Sequence, residues 1–135
     1  MSLKIHQFPC LNDNYGFLIH DPDSGQTVAL DTPDGAVYLA EAERSGWTIT
    51  AIWNTHWHPD HTGGNAAIKE ATDCEIIGPI GEKDKIRGLD RTVDHGDTVM
   101  LGAFKAEVID TPGHTIGHIA FNFPTEKVAH KRDLL

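Results

Sequence analysis

The sequence predicts an α/β domain, and three observations predict it. Short apolar runs separated by turn-forming residues open the chain, which is typical of antiparallel strands. Two segments with helical spacing then alternate with buried strands, the element order of α/β proteins. A length of 135 residues, with 39% apolar and 23% charged residues, suits one folded domain.

The first three predicted strands form an antiparallel unit, because polar turns separate them. Residues 4–8 and 15–20 are predicted to pair as a hairpin around a segment rich in Asn and Asp. Residues 27–31 are predicted to form the third strand, after a turn at residues 21–25.

Each of the two predicted helices follows a strand. The first covers Gly35–Ser45, with Asp34 as its N-cap and Gly46 as the residue that ends it. A buried strand at residues 50–54 precedes the second helix at residues 65–71. The remaining strands are predicted near residues 75–78, 98–101, 104–110, 119–123 and 127–129.

The net charge and the apolar content of the chain indicate which classes of partner it lacks. Because 20 acidic residues stand against 11 basic ones, the formal net charge is −9. A chain with this charge and no basic stripe repels phosphate backbones, so we expect no nucleic-acid partner. No window approaches eighteen apolar residues and no secretory signal opens the chain, so we expect a cytoplasmic protein without membrane association.

Four candidate metal ligands lie within six consecutive positions after the strand predicted at residues 50–54. They are His56, His58, Asp60 and His61. Alternation along extended backbone places His56 and His58 on one side, and a bend after Pro59 brings the other two round beside them. Imidazole with carboxylate suits zinc, iron or manganese, and the lack of nearby cysteine argues against a thiolate-rich structural zinc site. The pattern favours a catalytic metal over a polar surface loop.

A second candidate cluster follows the strand predicted at residues 104–110. It reads Thr-Pro-Gly-His-Thr over residues 111–115, and loops at strand ends often carry functional groups. His114 is the candidate ligand in this loop, with a solvated histidine as the alternative, while His118 is expected to orient its neighbours. Asp31, at the end of a strand, is either an anchor for a ligand histidine or a turn residue.

These motifs resemble those of a known family. His-x-His-x-Asp-His at residues 56–61, with Pro-Gly-His-Thr at residues 112–115, resembles the metallo-β-lactamase fold superfamily. The runs at residues 9–15 and 111–118 are similar to those of glyoxalase II, the hydroxyacylglutathione hydrolases. The resemblance covers the chain to about residue 129 and implies the N-terminal half of an αβ/βα sandwich, with a mixed sheet and helices on one face. It implies a single domain over residues 1–135 that is incomplete at its C-terminus.

The resemblance also implies which residues bind metal. His56, His58 and His114 would hold a first ion, and Asp60 with His61 would help to hold a second. Asp60 is also the candidate catalytic residue. Zinc is the expected cofactor, as one or two ions, with iron or manganese as alternatives.

The family places a bridging aspartate in a Gly-Asp pair. Asp133 stands at the matching position here, but Arg132 replaces the glycine. With a complete first ligand set and an incomplete second one, we expect one firmly held metal. An apolar face left by half a sandwich would be covered by self-association, so we expect a homo-oligomer.

The activity implied by the resemblance is thioester hydrolysis. A metal-bound hydroxide would attack a small-molecule thioester such as S-lactoylglutathione. Other activities of the superfamily stay open, namely those of a lactonase, a β-lactamase or a persulfide dioxygenase. A catalytically inactive metal-binding fragment is the alternative outside enzymes.

Overall fold

The computed structural model describes residues 3–10, 14–55, 62–110 and 119–123. Within these ranges it contains nine strands, two α-helices and a short 3₁₀-helix. The strands are β1 Lys4–Cys10, β2 Asn14–His20, β3 Thr27–Leu30, β4 Ala51–Trp53, β5 Glu75–Pro79, β6 Arg91–Val93, β7 Thr98–Leu101, β8 Phe104–Asp110 and β9 Ile119–Asn122. The helices are α1 Gly35–Ser45, α2 Asn65–Thr72 and the 3₁₀-helix Ile80–Glu82.

The larger sheet is mixed, as the sequence predicts. Its six strands follow the order β1-β2-β3-β4-β5-β6. The pairs β1–β2 and β2–β3 are antiparallel, and the pairs from β3 to β6 are parallel. Since parallel neighbours need a crossover, α1 joins β3 to β4 and α2 lies between β4 and β5 along the chain.

Helix α1 has the ends that its sequence predicts. The Asp34 side chain accepts hydrogen bonds from the N–H groups of Ala36 and Val37, and Gly46 ends the helix in left-handed backbone at φ 78°. Buried Tyr38 fixes the helix to the sheet, because its hydroxyl donates to the Leu30 carbonyl at 2.9 Å.

The core has two layers, one on each face of the larger sheet. Side chains alternate along β4, so Ile52 belongs to the cluster that includes Tyr38 of α1 and Ile68 of α2. The neighbouring Trp53 belongs to the cluster shared with the antiparallel sheet β7-β8-β9. Its ring centroid lies 4.9 Å from that of Phe121 in β9. The expectation of helices on one face is confirmed for the two described helices.

The structure also contains elements that the sequence did not predict. Strand β6 pairs with β5, and the 3₁₀-helix follows β5 directly. In β6, Val93 is buried while Arg91 and Thr92 are exposed, so the strand carries little apolar signal. The strand predicted at residues 127–129 lies outside the described residues. Neither α-helix that the structure describes has the length and apolar character needed to cross a membrane.

Candidate metal centre

The predicted metal ligands all fall in segments that the structure does not describe. His56, His58, Asp60 and His61 lie in residues 56–61, His114 in residues 111–118 and Asp133 in residues 124–135. Within the described ranges, no three His, Cys, Asp or Glu side chains are grouped to hold a metal. The structure therefore describes the borders of the candidate site, through the residues that flank these segments.

The residue before the first histidine segment contacts the residue after the second. Thr55 ends the described chain before residues 56–61, directly after β4. Asp110 and Ile119 flank residues 111–118 and are paired opposite each other in β8 and β9. The Ile119 N–H donates to the Thr55 carbonyl at 2.9 Å. One hydrogen bond thus joins the start of the first segment to the end of the second.

A buried carboxylate fixes Thr55 from the other side. Asp31 follows β3, and its two oxygens accept hydrogen bonds from the Thr55 N–H and the Thr55 hydroxyl, both at 2.8 Å. The Asp31 N–H donates to the Trp53 carbonyl at 2.8 Å. Its backbone is left-handed at φ 51°, a conformation that Asp tolerates better than most residues. Asp31 is therefore a turn residue and an anchor for Thr55, while contact with a ligand histidine lies outside the described residues.

A buried amide pair connects the two sides of the first histidine segment. Asn54 precedes the segment and Asn65 follows it at the start of α2. The Asn65 side-chain amide donates to Asn54 Oδ1 at 2.6 Å, and the Asn54 amide donates to Asn65 Oδ1 at 3.3 Å. The Thr32 hydroxyl also donates to Asn65 Oδ1. Because buried amides must find partners, this cluster sets the separation of the two ends.

The chain after the segment runs close to the start of α1. The Gly64 N–H donates to the Thr32 carbonyl at 2.6 Å. A Cβ built on Gly64 would collide with the Gly35 backbone and lie 2.9 Å from the Thr32 carbonyl oxygen. The φ of Gly64 is −94°, so this position needs glycine for space and not for a left-handed turn. Close packing of the two helix starts explains this glycine.

The polar residues that border the candidate site carry no metal-binding motif in the sequence. Thr32, Asn54, Thr55 and Asn65 are all buried, although none belongs to an obvious metal motif. Their signal is positional: Asp-Thr follows β3 and Asn-Thr follows β4, at the same edge of two parallel strands. Two polar pairs at neighbouring strand ends indicate a shared buried network.

Comparisons with known proteins identify relatives of the chain. A family model described as the metallo-beta-lactamase superfamily matches residues 21–131. A hydroxyacylglutathione hydrolase of Hyphomonas neptunium (strain ATCC 15444) is 68% identical over 97% of this chain and 51% of its own length. One of Maricaulis maris (strain MCS10) is 51% identical over 99% of this chain and 52% of its own length. The chain spans about half the length of the curated relatives it matches.

Solved structures share the fold at lower identity. A metallo-beta-lactamase from Staphylococcus aureus subsp. aureus COL superimposes with a TM-score of 0.75 at 26% identity, covering 90% of this chain and 38% of that one. ETHE1 from Myxococcus xanthus gives a TM-score of 0.75 at 28% identity, covering 90% of this chain and 53% of that one.

Proposed function

Because this chain belongs to the metallo-beta-lactamase superfamily, we propose that it acts as a metal-dependent hydrolase of the glyoxalase II type. Its substrate is a thioester such as S-lactoylglutathione. The 68% identity to a hydroxyacylglutathione hydrolase supports this activity over that of a lactonase or a β-lactamase.

One observation carries the proposal. The hydrogen bond from the Ile119 N–H to the Thr55 carbonyl links the flanks of the two histidine segments. His56 directly follows Thr55, and His114 lies within the segment that Ile119 closes. This arrangement supports a shared metal held by His56, His58 and His114.

The donor set fits such a metal. Three imidazoles form a recognised ligand set for zinc with an open position, and Asp60 and His61 add a carboxylate and a further imidazole. When bound, the metal lowers the pKa of water toward neutrality and polarises a carbonyl. We therefore propose zinc as the ion, with iron or manganese as alternatives, and Asp133 as an additional ligand.

Buried polar residues of the chain position the two ends of the first histidine segment. Asp31 and the Asn54–Asn65 pair fix the two ends of the segment that contains His56 and His58. Rigid ends lower the entropy lost when several side chains converge on one ion. A thiol leaves as thiolate more readily than an amine leaves, because its ordinary pKa is about 8.5. The site therefore needs less acid catalysis for a thioester than for an amide.

Hydrolysis of S-lactoylglutathione by the zinc-loaded chain tests the proposal. We expect His56→Ala and His114→Ala each to abolish both hydrolysis and firm zinc binding. His95→Ala is the matched control, since His95 is exposed in the turn before β7. A zinc-saturated chain without hydrolysis would favour the inactive metal-binding fragment, and unchanged activity in both variants would contradict the ligand assignment.

A further inference from the structure

Among the residues that the structure describes, three carboxylates are buried, and Glu82 is one of them. The other two are Asp21 and Asp31, which are 1% and 8% exposed. Asp21 accepts hydrogen bonds from N–H groups of the turn after β2, and Asp31 accepts two from Thr55. Glu82 is 1% exposed at the end of the 3₁₀-helix, so its burial calls for a physical reason of the same kind.

Glu82 lies at the sheet edge where the first histidine segment begins. Strands β3, β4 and β5 are parallel neighbours, so their carboxyl ends share one edge of the larger sheet. Asp31 follows β3 directly, and Thr55 ends the described chain after β4. The Asn54 N–H donates to the Ile77 carbonyl at 2.8 Å, which extends the contact between β4 and β5 toward Thr55. Because the 3₁₀-helix follows β5 without a gap, Glu82 belongs to the third of these neighbouring strand ends.

The chain after Glu82 borders the other end of the same segment. The N–H groups of Lys85 and Ile86 donate to the Glu82 carbonyl at 2.9 and 3.2 Å, which forms a turn. Lys85 and Ile86 line a cleft of about 270 Å³ that Thr62 and Gly63 also line. Thr62 and Gly63 directly follow the first histidine segment. Glu82 is therefore close along the chain to residues that face the end of this segment.

A buried carboxylate needs a hydrogen-bond donor, because its transfer out of water is otherwise costly. The neighbouring cations Lys83 and Lys85 are both exposed, whereas Glu82 is not. The first histidine segment carries three imidazoles at this edge of the sheet. A histidine that binds metal through one ring nitrogen keeps an N–H on the other, and this N–H donates to a carboxylate, a carbonyl or water.

We propose that Glu82 is a positioning residue of the metal centre. Its carboxylate accepts a hydrogen bond from the ring N–H of a histidine in the first histidine segment. This bond fixes which ring nitrogen is available to the metal, holds the orientation of the ring and raises the basicity of the ligand nitrogen. The inference rests on the proposed metal-dependent function and adds a residue outside the histidine motifs to its metal centre.

The zinc affinity of the full chain, measured by competition with a chelator, tests the proposal without catalysis. Glu82→Gln keeps the shape of the side chain but removes its charge and one acceptor oxygen. We expect zinc affinity to fall about tenfold, as for other residues that orient metal ligands. Glu75→Gln is the matched control, because Glu75 is exposed at the opposite end of β5 and its substitution should leave the affinity unchanged.

Proton–nitrogen NMR spectra of the zinc-loaded chain supply a readout that a merely structural role would not move. A ring N–H bonded to a carboxylate resonates far downfield, so we expect such a signal in the unsubstituted and Glu75→Gln chains. It should move upfield in Glu82→Gln. Glu82→Met has a similar volume and buries no amide, so it provides a second variant in which this signal and the zinc affinity should both be lowered. A downfield signal that is unchanged in both Glu82 variants would overturn the proposal.

Hydrolysis separates this inference from the proposed function. A chain that binds zinc but hydrolyses no thioester, and whose affinity and downfield signal depend on Glu82, would support the positioning role and contradict the thioesterase. Hydrolysis by the unsubstituted chain, together with unchanged zinc affinity and an unchanged signal in Glu82→Gln, would overturn the Glu82 assignment alone.

Discussion

Asp31 and Thr55 hold the backbone at the point where the first histidine segment begins. Both are buried, and two hydrogen bonds of 2.8 Å join them. Asp31 accepts with both oxygens, so a neutral or shorter side chain cannot reproduce the arrangement. This pair is the residue-scale feature on which the proposed metal geometry depends.

Substitution of Asp31 tests that dependence. Asp31→Asn keeps a side chain that tolerates left-handed backbone, but its amide nitrogen cannot accept a hydrogen bond. We expect the free energy of unfolding of the metal-free chain to fall by about 1–3 kcal/mol in urea. Zinc affinity, measured by competition with a chelator, should fall about tenfold, as for residues that orient metal ligands.

Asp23→Asn is the control for this prediction. Asp23 is an exposed carboxylate in the turn after β2, so neither stability nor zinc affinity should change measurably. An Asp31→Asn chain with normal zinc affinity would limit Asp31 to a purely structural role.

His20 provides a pH-dependent prediction away from the metal centre. Its ring stacks on Trp47 with centroids 4.5 Å apart, and its Nδ1 lies 2.8 Å from the Thr27 hydroxyl oxygen. Burial lowers the pKa of His20, and the positive charge of Lys4 lowers it further, against a smaller opposite effect of Asp21. The folded state therefore binds the proton less readily than the unfolded chain does.

The sign of the stability effect follows from this shift. The contribution of neutral His20 is complete above the unfolded pKa of about 6.5 and is lost as the pH falls from there toward the folded value. Proton NMR titration of the ring should give a midpoint below 6.5, and His20→Gln should remove this part of the pH dependence in urea unfolding. A midpoint at or above 6.5 would contradict the prediction.

At the scale of elements, α1 and α2 meet at glycines. The starts of both helices approach so closely that a Cβ at Gly35 would lie 3.0 Å from the Gly64 carbonyl oxygen. Gly64 is in turn bonded to Thr32, in the loop between β3 and α1. The same contacts therefore set the packing of the helices and the position of the described chain that follows the histidine segment.

Gly64→Ala tests this packing. The added methyl group would collide with backbone atoms, which cannot move aside as the end of a flexible side chain can. We therefore expect the free energy of unfolding to fall by about 1–3 kcal/mol. Ala66→Ser adds one heavy atom at an exposed position of α2 and should change stability by less than about 0.5 kcal/mol. Equal stabilities of the two variants in urea would show that the helix starts can separate freely.

Local signals determine which elements the sequence predicts. The bounds of α1 are predicted to the residue, because Asp34 and Gly46 cap its two ends. Strands β8 and β9 pair with each other, which places residue 110 opposite residue 119. Strand β6, in contrast, depends on its parallel pairing with β5. Only Val93 of β6 is buried, so its three residues lack the alternation of apolar and polar side chains that would predict a strand.

The sequence likewise predicts one part of the candidate site and not another. Its histidine motifs are visible from spacing, and their expected positions stay predictions. The pairing of Asn54 with Asn65 depends on how α2 packs, and because the two residues are eleven positions apart no local sequence pattern predicts it. Family membership and the α/β class, in contrast, are confirmed.

At the scale of the whole molecule, metal should link the two sheets. The first histidine segment leaves the six-stranded sheet, whereas the second joins two strands of the smaller one. A ligand that binds only the folded chain stabilises it by about 2.7 kcal/mol at a free concentration of 100 times Kd. We therefore expect zinc to raise the Tm and a chelator to reverse the increase.

Metal analysis after gel filtration measures the stoichiometry. We expect one firmly bound zinc per chain, since His56, His58 and His114 form one complete ligand set. His114→Ala should lose both the bound zinc and the zinc-dependent rise in Tm. Two firmly bound ions per chain would contradict this expectation.

The homo-oligomer expected from the sequence stays a prediction. Among the residues that the structure describes, the large apolar side chains that are exposed are Ile80 and Met100. Sedimentation velocity over a range of concentrations measures the association directly. A single monomeric species throughout that range would contradict it.

The bond between Thr55 and Ile119 has a consequence for the order of assembly. The two residues are far apart along the chain, yet their contact borders both histidine segments. Contacts of long sequence separation form late, after the loop between them has lost its freedom. During synthesis the third imidazole follows the first two by more than fifty residues, so metal capture would report completed docking of β9 and not the earlier growth of helices and hairpins.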